Sequence, residues 1–447
     1  MQSWESEQVR RNIRSSLCTE SFFHETGRPM KKYVDVDEKL PLWETFPLSI
    51  QHLFAMFGAT VLVPFLLKVD PSIALLMNGI GTLLYMAICK GRLPAYLGSS
   101  FAFISPVTLI LSMGLGYGAA QSGFIVFGLC FVLLSFLVKK VGVGWIDTLF
   151  PPAAMGAIVA IIGLELAPSA MNMAGLVGDP VPGIDPQLAV IVSIFTLVVT
   201  VLVSLFGRGF LGVIPVLLGV VAGYILSLFL GIVDIDAIAA APWFAVPTLY
   251  MPEWNWQAII IILPAVFVVF AEHIGHLVVT SHVIGRDLMT DPGLSRSLLG
   301  DGLANILSGI VGATPNTTYG ENIGVMAITR VYSVWVIRGA AIIAILCSFI
   351  GKISAVIHGI PTPVMGGVCI LLFGIIATTG LRMLIEQKVD YTQPENLILT
   401  AVTLITGLSG AVLDFGPFHL KGMALATVVA MVIALVLRLF RGLRPQE

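Results

Sequence analysis

Apolar runs of about twenty residues, parted by short polar or glycine-rich breaks, recur from residue 46 to residue 440. A run of that length is what an α-helix needs to cross a bilayer. Fourteen such spans are predicted, at 46–67, 72–89, 94–112, 118–138, 144–167, 187–206, 211–232, 256–280, 297–312, 316–331, 333–351, 362–384, 396–412 and 421–440. The third and tenth are short and interrupted. Their cores read Ala95-Tyr-Leu-Gly-Ser-Ser-Phe-Ala-Phe-Ile-Ser-Pro106 and Thr314-Pro-Asn-Thr-Thr-Tyr-Gly-Glu-Asn-Ile-Gly324. Lipid cannot satisfy a backbone broken at Pro315 and Gly320, so the segment is expected to be buried by protein or to line a cavity. Glu321 inside it is then a functional-site candidate. An ordinary loop with a glutamate in water is the weaker reading, because the flanking connections are short and apolar.

Charge placement adds orientation. With the N-terminus in the cytoplasm, the even-numbered loops carry Lys90, Arg92, Lys139, Lys140, Arg208, Arg286, Arg296, Arg330, Arg382 and Lys388, and the tail adds Arg438, Arg441 and Arg444. The opposite loops carry only Lys68, Lys352 and Lys421. That asymmetry predicts both ends in the cytoplasm and an even number of spans. Division near residue 240 makes two sevens of opposite orientation, each with its third span broken. A pair of interrupted spans at matching positions points to a transporter site built from inverted repeats. The expected fold class is thus an all-α polytopic membrane protein with a 7+7 inverted repeat.

Composition agrees. Hydrophobic residues make up 57% and charged residues 11% of the 447, with a mean hydropathy of +0.96, whereas soluble domains carry about 25% charged residues. The net charge of −2 suggests no nucleic-acid partner. The five cysteines are scattered without a C-x-x-C pair, which supports neither a disulfide framework nor a zinc site. Residues 1–40 are polar and lack the apolar core of a secretory signal. Met30-Lys-Lys reads as an alternative start, and the first 29 residues are assigned no function.

Within the apolar runs, Glu272 and His276 stand four residues apart, on one helix face. Desolvation favours the neutral form of a carboxyl, and a neighbouring histidine can share its proton. Such a pair is a means of coupling a proton to transport. A metal site built on Glu272, His273 and His276 is disfavoured, because the spacing is not H-E-x-x-H and no further ligand is evident. No cofactor is expected, and no nucleophile set marks an enzyme. His52 reads as a helix-to-helix hydrogen bond before it reads as a ligand. Asp301 is expected to brace the broken helix, Glu165 to mark a span end, and Asn322 to satisfy local backbone. Helices that begin in mid-membrane expose N–H groups with partial positive charge. Backbone donors near Phe101 and Gly320, facing Glu272 and Glu321 as acceptors, would fit a small planar ligand that both donates and accepts. Phe101, Phe103 and Tyr319 are placed to cover its faces.

These residues resemble the nucleobase–ascorbate transporters, the xanthine/uracil permease family, over nearly all of the chain from Pro41 to Arg444. The most specific match is Glu321-Asn-Ile-Gly-Val-Met-Ala-Ile-Thr-Arg330, the family signature of Gln, Glu or Pro followed by Asn-x-Gly-x-x-x-x-Thr-Arg. Gln51-His52 and Gly98-Ser-Ser-Phe-Ala-Phe103 match as well. The resemblance implies core segments at 41–140 and 241–352 and gate segments at 141–240 and 353–447, after a polar N-terminal segment 1–40. It also implies proton-driven uptake of uracil across the cytoplasmic membrane of a bacterium, by a lipid-embedded homodimer. Carried over by position, Glu272 and Glu321 would bind the pyrimidine edge, and backbone at Phe101 and Gly320 would complete it. Ala59 and Tyr319 would line the pocket, His276 would help couple the proton, and His52, Ser100 and Asn322 would support the site. Glu321 fits uracil better than purines, whose carriers tend to have Gln there. Phe373 departs from the Tyr expected in uracil relatives. A purine permease, or an anion exchanger or channel of related fold, is the alternative.

Overall fold

The computed structural model describes residues 33–208, 210–415 and 418–441. The helices belong to one compact unit, Asp35–Glu447; of the preceding unit, Met1–Val34, only Tyr33 and Val34 are described. The expectations for most of the polar segment 1–40 and for Arg444 therefore fall outside the described residues.

Spans 1 and 2 are Leu42–Leu67 and Pro71–Ile88, span 4 is Gly116–Val141, and span 5 is Pro152–Met173. Spans 6, 8, 12 and 14 are Pro186–Phe206, Trp256–Ile284, Thr362–Glu386 and Gly422–Phe440. These eight are long and apolar enough to cross a membrane alone, while Phe101–Ser112, Pro215–Phe229, Val334–Ser348 and Pro394–Leu408 are shorter and form spans 3, 7, 11 and 13. Leu294–Val311 is span 9, and the helix Gly320–Thr329 belongs to span 10. Local chemistry sets the starts. Spans 2 and 6 each begin with an aspartate cap followed by proline, and Asp70 and Asp185 accept from Ser72 N and Gln187 N at 2.9 Å.

Two boundaries differ from the hydropathy pattern. The run 144–167 is a short helix, Ile146–Leu149, then a break, because Phe150 leaves helical geometry before the Pro151-Pro152 pair. The run 396–412 stops at Leu408, and the chain forms an antiparallel hairpin, Val412–Phe415 with Phe418–Lys421. Strands of four residues are too short for their alternation to stand out from an apolar run.

Among the most closely packed helix pairs are 4 with 9 and 2 with 11, 6 with 7 and 13 with 14, 6 with 12 and 13 with 5, and 5 with 12. Exchanging each span for the one seven places away turns the first pair into the second, the third into the fourth, the fifth into the sixth, and returns the last to itself. Packing thus follows the repeat that the two broken spans suggested. Small residues let the backbones meet, as membrane helices require. A Cβ on Gly128 of span 4 would sit 2.6 Å from the carbonyl oxygen of Gly302 on span 9.

Candidate functional site

The two broken spans meet. Leu97–Ser99 (β1) pairs antiparallel with Asn316–Thr318 (β2), with Leu97 opposite Thr318, Gly98 opposite Thr317 and Ser99 opposite Asn316. Ser100 N donates to Pro315 O at 2.8 Å and Tyr319 N to Tyr96 O at 3.0 Å, extending the ladder at both ends. Each interrupted span supplies the backbone partners that lipid cannot. Helical geometry resumes at Phe101 on one side and Gly320 on the other, leaving the first N–H groups of both short helices without intrahelical acceptors. The signature Glu321–Arg330 is one short helix, from its first turn to its cap, where Arg330 takes φ 57°.

A cavity of about 300 Å³ opens beside this crossing. Glu272 and His276 line it from span 8, Phe101 from span 3, and Tyr319, Gly320 and Glu321 from span 10. The facing wall is Val159 and Ile162 of span 5 with Ile376, Thr379 and Met383 of span 12. His276 Nδ1 lies 3.1 Å from Thr318 Oγ1, and its Nε2 would be 3.3 Å from a Cβ on Gly320, so glycine gives the ring room. Glu272 Oε2 is buried without a hydrogen-bond partner in the protein. A buried polar oxygen is rarely left so, and this one stands on the wall of a cavity where a ligand N–H can reach it.

His52, Ala59, Ser100 and Asn322 are buried and are not among the residues lining this cavity. Asn322 Nδ2 is 3.1 Å from His52 Nδ1 and donates to His52 O at 3.3 Å, tying span 10 to span 1. Phe103 packs edge-on against Phe124 and Phe127 of span 4 rather than lining the cavity. Phe373 is 2% exposed and meets Phe101 edge-on, with centroids 5.9 Å apart, so it backs the aromatic wall of the site.

His273 faces away from the cavity, one residue around the helix from Glu272. Its Nδ1 is 2.9 Å from Asp301 Oδ2 and its Nε2 2.6 Å from Ser297 Oγ, which in turn is 2.6 Å from Tyr85 OH. Asn305 carries the connection to the crossing: its Nδ2 donates to Asp301 Oδ1 at 2.9 Å, and its Oδ1 accepts from Asn316 N at 2.7 Å. Asp301 is thus linked to β2 through Asn305. Among the described residues, no three His, Cys, Asp or Glu side chains group to hold a metal. Sequence reasoning did not name Thr318, Val159, Ile162 or Thr379. The spacing of span 5 carries no signal for the two apolar ones, since that helix is buried almost all round.

Gly98 has a mechanical role at the crossing. A Cβ there would fall 2.2 Å from the ring of Tyr319, whose hydroxyl donates to Ser99 O at 2.9 Å. Gly98→Ala is expected to displace that ring and lower stability by about 1–3 kcal/mol, as overpacking does. Thermal unfolding of the purified protein without ligand checks this; an unchanged midpoint would contradict the close packing.

Comparison with known proteins follows the same outline. The xanthine/uracil permease model, described as a permease family, matches residues 43–416. The chain belongs to this family. The permease is 59% identical over 415 residues to a uracil permease of Paenibacillus larvae, covering 92% of this chain and 98% of that protein. It is 60% identical over 418 residues to the uracil permease of Escherichia coli strain K12, covering 93% and 96%. Among solved structures, SLC26A9 aligns with a TM-score of 0.66 at 11% identity, over 90% of this permease and 66% of that chain. At that identity the likeness is one of fold: the permease is a multi-pass membrane protein with the 7+7 inverted repeat of the SLC26 transporters.

Proposed function

We propose that this permease carries uracil together with protons across the cytoplasmic membrane of a bacterium by alternating access. The observation that carries this reading is the cavity where the two broken spans cross, with Glu272 and Glu321 both on its wall. Uracil is small, neutral and planar, with two ring N–H donors and two carbonyl acceptors. Its affinity must come from a few buried hydrogen bonds, and a site that pairs each N–H rejects analogues lacking one. The carboxyl groups accept from the ring, while N–H groups at Phe101 and Gly320 donate to its carbonyls. The names of relatives at 59% and 60% identity support uracil over a purine.

Protonated Glu272 accepts a ring N–H at its carbonyl oxygen and also donates its O–H to a ring carbonyl, which an ionised one cannot, so substrate and proton favour each other's binding, and His276 relays the proton. Segments 41–140 and 241–352 act as a core that carries the site past a gate formed by 141–240 and 353–447. The gate segments also form the homodimer contact, and both termini face the cytoplasm.

An anion carrier of related fold would place an unpaired cation at the helix ends. Here Arg382 lies at the rim of the cavity, and its Nε donates to Glu386 at 2.6 Å. Labelled uracil uptake into proteoliposomes, with and without an imposed pH gradient, tests the proposal. Accumulation is expected only when the outside is the more acidic, with little competition from excess xanthine. Stronger competition by xanthine than by unlabelled uracil would replace the substrate.

A further inference from the structure

A second, larger cavity lies against the other end of the same helices. Its volume is about 530 Å³, and Ala102, Ser105 and Leu109 of span 3, Val268 of span 8 and Glu165 of span 5 contribute to its lining. The two cavities share walls. Span 5 presents Val159 and Ile162 to the first and Leu164 and Glu165 to the second. Span 8 presents Glu272 and His276 to the first, Ala265 and Val268 to the second. Span 3 turns from Phe101 to Ala102 as it passes between them. The two cavities therefore lie along the same three helices, spans 3, 5 and 8, and Phe101 and Ala102 are consecutive residues in their walls.

One polar tie spans the second cavity. Ser105 Oγ, just beyond the restart of the span 3 helix, donates to Glu165 Oε1 at 2.8 Å. Glu165 Oε2 accepts from Met423 N at 2.8 Å, satisfying a free N–H at the start of the long span 14 helix. The seat is built for a carboxylate: a Cβ on Gly422 would overlap it, lying 2.3 Å from the Glu165 carboxyl carbon, and Gly422 has a φ of +55° that suits glycine. Glu165 thus joins three elements at one point, two of the gate segments and the broken span of the core.

We propose that the second cavity is the extracellular mouth of the transport pathway and that the Ser105–Glu165 bond latches it shut. For the mouth to open, span 3 must part from span 5, and this is the bond that parts with it. Glu165 stays seated on span 14 through Met423 while Ser105 leaves. The proposal rests on the transport reading above for its direction, since the basic loops set which mouth is external.

The test is accessibility. Leu109→Cys, placed in the second cavity in a background whose native cysteines are replaced by alanine, is labelled in right-side-out membrane vesicles with a membrane-impermeant maleimide. Removing the latch with Ser105→Ala is expected to raise the labelling rate about tenfold, the population change that one charge-assisted hydrogen bond supports. Ser105→Thr keeps the hydroxyl and is expected to label within about twofold of the parent. Equal rates for the Ala, Thr and parent forms would overturn the latch. Labelling of Leu109→Cys only from the cytoplasmic side would overturn the assignment of this cavity as the external mouth. Uracil uptake measured on the same vesicles separates the two levels: a parent without uptake fails the transport reading, whereas unchanged labelling in a parent with uptake fails the latch alone.

Discussion

Glu321→Ala is expected to weaken uracil binding by about 100-fold or more, enough to abolish it at working concentrations. Glu321 stands in the first turn of the helix that restarts after β2, and it lines the cavity beside Tyr319 and Gly320. Alanine removes the acceptor while the ring N–H of the ligand is still stripped of water. A hydrogen bond to a charged group is worth about 1.5–3 kcal/mol, and the unpaired partner adds its own desolvation cost. Each 1.4 kcal/mol is a factor of ten in affinity. Equilibrium binding of labelled uracil to the purified protein measures the effect. Glu321→Gln serves as the companion, because it keeps one carbonyl acceptor in the same place and is expected to bind with intermediate affinity. Binding by the alanine variant within about threefold of the parent would remove Glu321 from the site.

Glu272→Gln is expected to separate binding from proton coupling. The amide is nearly the same shape and can still donate to a carbonyl, but it neither takes up nor releases a proton. Coupling between two ligands is reciprocal, so a group that carries the proton must also make uracil affinity depend on pH. In the parent, uracil binds more tightly as pH falls and Glu272 becomes protonated; in the variant that dependence flattens. Uracil should still equilibrate down its own gradient in proteoliposomes loaded with the variant. Accumulation driven by a pH gradient should fall to the level reached without one. Undiminished gradient-driven accumulation would take the coupling role from Glu272.

Much of the site was legible because the sequence breaks its own pattern there. A proline, small polar residues and a carboxylate inside an apolar run have few physical outcomes in lipid, and the pairing of Leu97–Ser99 with Asn316–Thr318 is one of them. Glu272 and His276 were readable as a pair because helical periodicity puts residues four apart on one face. His273, one residue on, faces another helix and finds Asp301 at 2.9 Å. Its spacing from Glu272 and His276 had suggested a metal site only superficially. The Asn322–His52 contact joins residues 270 apart, and neither residue's surroundings in sequence point to the other.

The apolar wall of the cavity was not legible for a different reason. Val159 and Ile162 belong to a helix buried on nearly every side, so hydropathy gives no preferred face. Which of its residues meet the site depends on how span 5 rotates against spans 8 and 12. The seat of Glu165 has the same origin, since it needs Met423, 258 residues further along the chain, and Gly422 beside it.

Length and hydropathy by themselves predicted a chain of many membrane spans and where two of them are broken, because a bilayer core of fixed thickness calls for apolar helices of matching length. The tertiary structure alone decided that those two breaks repair each other and that cavities lie on the helices beside them. Backbone hydrogen bonds between distant segments, and close approaches that only glycine permits, depend on where the helices sit and not on the residues beside them in the chain.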